Sequence, residues 1–161
     1  MRVNSERCLV GWGWTSGTPI LPNYLYNNLK QIVQTPTEVM ILTEMIHDAR
    51  IVRIGGKHLP SNIRKWLGDS VGHWEGDTLV VDTVALHTSS FIEGFTPHSD
   101  AMTVKERIRF AGPDLLEDRI TVTDPKALTK PWETIKSYRK AKPGNDELRE
   151  FACAEGLADA K

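Results

Sequence analysis

The clearest signal in the chain is a two-residue alternation of apolar and polar positions. In Thr103–Phe110, Val104, Glu106, Ile108 and Phe110 share one face, and Thr103, Lys105, Arg107 and Arg109 share the other. In Leu115–Thr123, Leu116, Asp118, Ile120 and Val122 fall together. This period marks half-buried β-strands. Further β-prone segments are Glu38–Ile46, Ala49–Ile54, Val71–Trp74, Thr78–Leu86, Trp132–Arg139 and Leu148–Cys153. Turn residues separate them. Gly55-Gly56 and Glu75-Gly76-Asp77 read as hairpins, and Ala111–Asp114 and Lys142–Asp146 as turns. Asp124-Pro125 ends the strand before it, because proline cannot continue a ladder. Pro60–Leu67 reads as a connection, and His87–Asp100 as a long polar loop.

The segment 1–36 has no period and is punctuated by Gly11, Gly13, Gly17, Pro19, Pro22, Asn27 and Asn28. It predicts an irregular N-terminal arm or cap, with Tyr24–Val33 a short helix or strand. Residues 37–153 then form a meander of about eight strands joined mostly by short turns, which favours antiparallel neighbours. Such a meander must close or fold over to hide its edges. The expected fold is mainly β: one domain over 1–161, an antiparallel up-and-down β-barrel, with a sandwich second.

Alternation also shows which polar residues point inward. Glu106 lies in an apolar register, where burial is costly unless the carboxylate is paired and where desolvation raises its pKa. That environment suits a general acid or base, and equally a structural ion pair with an arginine. Asp118 is a second inward carboxylate, opposite Glu106 if the two strands pair through the Gly112 turn; a solvated place at the barrel mouth is the other reading. Asp82 is ambiguous, because both faces of its strand are apolar.

Composition adds limits. The chain has 161 residues and a formal net charge of −1, with hydrophobic residues at 40% and charged residues at 25%. Near-zero charge argues against nucleic acid as the main partner. No apolar run reaches the ~18 residues that span a bilayer. The opening Met1–Arg7 lacks the apolar core of a signal peptide, so a cytoplasmic location is expected. Homo-oligomerisation stays open. Five tryptophans, at 12, 14, 66, 74 and 132, outnumber the phenylalanines and the tyrosines. None falls within an alternating run, which favours rims, caps and pocket walls; Trp66, Trp74 and Tyr24 are candidate substrate contacts.

The five histidines, His47, His58, His73, His87 and His98, show no metal-ligand spacing. No metal is therefore expected. His47 beside Asp48 and close to Arg50, and His98 before Ser99-Asp100, are candidate acid–base groups, since histidine titrates near neutrality. Gly11-Trp12-Gly13-Trp14 lacks the context of a dinucleotide fingerprint, so no nucleotide cofactor is expected. Cys8 and Cys153 lie near the two ends and would approach each other in a closed meander; without a secretion leader the reduced state is the default.

Several segments together resemble a large, mostly uncharacterised bacterial family, abundant in soil bacteria and sphingomonads. They include Glu6-Arg7-Cys8-Leu9, Gln31–Pro36, His47-Asp48-Ala49-Arg50, and Gly72-His73-Trp74-Glu75-Gly76-Asp77-Thr78-Leu79-Val80-Val81-Asp82-Thr83. His98-Ser99-Asp100, Glu106-Arg107, Thr121–Pro125, Pro131-Trp132 and Cys153-Ala154-Glu155 extend the resemblance over nearly the whole chain. It implies a lipocalin-like barrel. By association with bacteria that degrade aromatic compounds, it suggests a cofactor-independent acid–base lyase or isomerase acting on a small hydrophobic or lignin-derived aromatic molecule. Formaldehyde release is one specific reaction of that kind. Glu106, His47 and His98 would share the proton transfers, and Arg50 or Arg107 would hold an oxyanion. Asp118 stands where members of the family usually carry an aromatic residue. The alternative is a non-catalytic, lipocalin-like binding protein for a hydrophobic small molecule.

Overall fold

The structure is a computed structural model that describes residues 7–11, 29–44, 48–92, 96–143 and 148. Eleven strands follow one another: β1 (Arg7–Gly11), β2 (Leu29–Gln34), β3 (Glu38–Thr43), β4 (Asp48–Ile54), β5 (Asp69–Glu75), β6 (Thr78–Val84), β7 (Phe91–Ile92), β8 (Thr96–Pro97), β9 (Thr103–Gly112), β10 (Leu115–Thr123) and β11 (Trp132–Lys140). Nine of them close into a barrel in the order β1-β11-β10-β9-β6-β5-β4-β3-β2, because β1 pairs with both β2 and β11. The fold is a lipocalin-like β-barrel. Among the described residues no helix is long and apolar enough to cross a membrane.

Three features depart from the sequence expectation. β1 lies within the segment expected to be irregular and supplies the closing strand, while β2 overlaps the Tyr24–Val33 stretch expected as a short helix or strand and is a strand. The long loop 87–100 carries a two-stranded ribbon, β7–β8, so β6 pairs directly with β9. Gly55-Gly56 is no hairpin, because β4 and β5 run parallel, with Val52 opposite Ser70 and Ile54 opposite Gly72. A parallel pair needs a crossover of a dozen or more residues, and the connection 55–68 provides it. The segment expected as the strand Leu148–Cys153 falls almost wholly outside the described residues.

Asp69 secures that crossover. Its buried carboxylate accepts hydrogen bonds from Arg53 Nη2 at 2.9 Å to each oxygen and from the Leu59 amide at 2.9 Å, and it meets His58 Nδ1 at 3.1 Å. Burial alone would raise the Asp69 pKa. The bonds from Leu59 and His58, with the charges of Arg53 and Lys65, outweigh it and hold the group below its ordinary value.

Inside the barrel two apolar clusters form. Val39, Val52, Leu79, Val81, Ile108, Leu116 and Tyr138 make one, with Ile32, Ile41, Ile54, Trp74 and Phe110 packed against it. Leu86, Met102, Val104, Ile120 and Val122 make the other, with Leu128 and Trp132. On β6, β9 and β10 the inward residue between the clusters is polar. Val104 and Ile108 flank Glu106, Leu116 and Ile120 flank Asp118, and Val81 and Leu86 flank Thr83.

Candidate functional site

The polar layer between the clusters is built by the alternation that makes the strands. β9 is buried at every second residue, which turns Glu106 inward and leaves Arg107 on the outer face. β10 does the same for Asp118, and β11 turns Lys136 and Tyr138 inward. β2 contributes Lys30, β4 Arg50, β5 Ser70 and β6 Thr83, all buried except the half-buried Lys136.

Arg50 organises one side of this layer. Its guanidinium grips Glu106 with two contacts, Nη1 donating to Oε1 at 2.8 Å and Nη2 to Oε2. Nε donates to Ser70 Oγ at 2.9 Å and Nη2 also to Thr83 Oγ1 at 2.9 Å. The two hydroxyls, cross-strand partners on β5 and β6, lie 2.8 Å apart. Burial works against the Arg50 charge, but the attraction and hydrogen bonding of Glu106 overcome it and raise the pKa. Both oxygens of Glu106 are thus occupied by Arg50 in a two-pronged contact.

Asp118 is placed differently. It is 4% exposed, and among the described residues its Oδ1 has no hydrogen-bond partner. Burial first, then the negative charge of Glu106, push its pKa well above the ordinary carboxylate range, against the pull of Arg50, Lys30 and Lys136. Lys30 faces the same interior, with Nζ 5.6 Å from the centre of the Tyr138 ring. Burial lowers the Lys30 pKa to about 8, only partly offset by Asp118. Burial, followed by the charges of Asp118 and Glu106, raises the Tyr138 phenol well above its ordinary value. The result is an acid pushed toward its neutral form and an amine that loses its proton more readily than a free lysine, in one buried layer. Such a pair can donate a proton and, toward pH 8, accept one.

The other sequence candidates fall elsewhere. His98 is buried on the connection after β8, where Nδ1 donates to the Ser99 carbonyl at 2.8 Å and Nε2 meets Ser90 Oγ at 2.8 Å. Its bonds tie that loop and do not reach Glu106. Arg107, expected beside Glu106 as an oxyanion holder, points outward and pairs with Glu75 at 2.8 Å. Trp66 is 51% exposed on the crossover, its ring 5.7 Å from that of His87. Trp74 does face the interior, packed against the first apolar cluster. Asp82 points outward to Lys105. His47, Tyr24, Trp12, Trp14 and Cys153 lie outside the described residues, as does the side chain of Cys8. Among the described residues no group of three or more His, Cys, Asp or Glu side chains could hold a metal ion.

Sequence reasoning missed Lys30, Ser70, Thr83, Lys136 and Tyr138. Applied to Leu29–Gln34 and Trp132–Arg139, the alternation that exposed Glu106 puts Lys30, Ile32 and Gln34 on one face and Trp132, Thr134, Lys136 and Tyr138 on another. Comparison with protein families, with curated proteins and with solved structures finds no match.

Proposed function

We propose that the barrel is an acid–base lyase or isomerase that acts on a small hydrophobic molecule, with an aromatic compound the first substrate class to test. The observation that carries this reading is the contrast between two buried carboxyl groups on neighbouring strands. Arg50 occupies both oxygens of Glu106, while Asp118 is driven toward its neutral form and, among the described residues, keeps one oxygen without a partner. Carboxyl groups in such different surroundings can take distinct roles, and a buried carboxyl whose pKa is raised suits a proton donor. In this assignment Asp118 protonates the leaving group and Lys30 accepts the substrate proton. Glu106 and Arg50 hold the field in which both work. Trp74 and the two apolar clusters receive the body of the substrate.

The test is incubation of the full chain with a panel of lignin-type aromatic alcohols, ethers and carbonyl compounds, read by mass spectrometry. Turnover should fall ~100-fold or more in Asp118→Asn, the usual contribution of a positioned proton donor. Full activity in that variant overturns the assignment.

A carrier is the second reading. It is favoured by the same Asp118 oxygen, which among the described residues has no partner and lies between two apolar clusters. A ligand that co-purifies unchanged, and is lost in Asp118→Asn, would establish it.

A further inference from the structure

The outer face of the barrel carries a second feature, independent of the interior layer. A depression of about 320 Å³ is lined by Thr78, Arg107, Arg109, Glu117, Arg119 and Ile135. These residues come from β6, β9, β10 and β11, all at outward positions of their strands. Three guanidinium groups therefore surround the depression, against the carboxylate of Glu117 in its lining and that of Glu75 bound to Arg107 beside it.

The register makes this arrangement costly. Arg107 on β9 and Arg119 on β10 are direct cross-strand partners. Like charges in that relationship repel and destabilise the pair of strands. Arg107 is relieved by Glu75 at 2.8 Å, and Arg109 by Glu117 at 3.1 Å. Among the described residues no carboxylate pairs with Arg119. Arg107 and Arg109 each commit Nη2 to a glutamate. Each guanidinium has five N–H donors, so both keep others to offer. Converging guanidinium forks match the oxygens of a phosphate group in charge and in geometry. Ile135, the opposite partner of Arg119 on β11, is 53% exposed and forms an apolar wall of the same depression.

We infer that this depression binds a phosphate group carried on a small organic molecule, with Arg107, Arg109 and Arg119 holding the phosphate and Ile135 meeting the apolar part. The bound dianion would cancel the repulsion between Arg107 and Arg119.

The test is calorimetric titration of the full chain with phenyl phosphate and with inorganic phosphate at fixed ionic strength. Phenyl phosphate should bind saturably and more tightly than inorganic phosphate. Arg119→Gln should weaken binding by about tenfold or more, the loss of a charge-assisted hydrogen bond. Arg119→Lys should also weaken it, because an ammonium keeps the charge but not the fork. Position 119 is exposed, so both variants are expected to fold. Absence of saturable binding, or wild-type affinity in either variant, overturns the site. Equal affinity for the two probes overturns the organic ligand.

Discussion

Arg50 and Glu106, on strands that are not neighbours, meet across the barrel interior through two guanidinium–carboxylate contacts. Between β4 and β9 lie β5 and β6, whose Ser70 and Thr83 hydroxyls accept two further hydrogen bonds from Arg50. The pair thus links four strands through side chains, in addition to the backbone ladder.

Breaking one partner should cost more than removing both. Glu106→Gln strands a buried guanidinium, and loss of one member of a buried ion pair costs about 3–5 kcal/mol. The double variant Arg50→Met/Glu106→Leu replaces the pair by apolar groups of similar volume and should recover most of that loss. Urea unfolding midpoints of the two variants against the parent chain measure both effects.

Glycine 68 is expected to tolerate no side chain. Its φ is +70°, left-handed like Gly55 at +68° and Gly76 at +58°, but its surroundings are crowded. A Cβ there would lie 2.7 Å from Thr83 Cγ2 and 2.9 Å from the Val84 carbonyl oxygen, whereas one at Gly55 meets nothing within 4 Å. Gly68→Ala therefore adds overpacking to backbone strain and should lose about 2–3 kcal/mol. Gly55→Ala bears only the backbone term and should lose less. Thermal denaturation of the two variants side by side decides it.

How far the sequence alone could lead is visible in particular residues. Glu106 and Asp118 were legible because β9 and β10 are long, alternate cleanly and are joined by an evident turn. The inward position of a carboxylate then follows from counting by two. Arg107 was misplaced although the same count sets it opposite in direction to Glu106. Lys30 was hidden because β2 follows a stretch dense in Gly, Pro and Asn, and because its pairing with β1 and β3 shows only in three dimensions. The parallel run of β5 beside β4 was equally hidden. It depends on the hydrogen bonds of Asp69 to Arg53 and Leu59, contacts between segments that no local turn pattern encodes.

Asp118 should make the protein less stable as pH rises from the acid side. Its folded pKa is raised, so between the unfolded value and the folded one the native state holds the extra proton. Stability then falls with increasing pH from ~4 upward until the folded group has also ionised. Asp118→Asn removes this dependence. Unfolding free energies from pH 4 to 7 should decline less in the variant than in the parent, and an identical decline in both would refute the raised value.

Lys30 predicts the opposite slope in a different window. Its pKa is lowered from 10.5 to about 8, so between those values the unfolded chain binds the proton that the native state has lost. Stability should therefore rise as pH increases from ~8 to ~10.5, by an amount on the order of 3 kcal/mol for a shift of this size. Below pH 8 the buried ammonium carries its full desolvation cost. Lys30→Met keeps the aliphatic stem over Tyr138 and removes the charge, so it should be more stable than the parent at pH 7 and show no rise above pH 8. The same variant should lose turnover if Lys30 accepts the substrate proton. A chain that is stabilised yet inactive separates the chemical role of this amine from any part in holding the barrel together, because a purely structural lysine would lose stability and activity together.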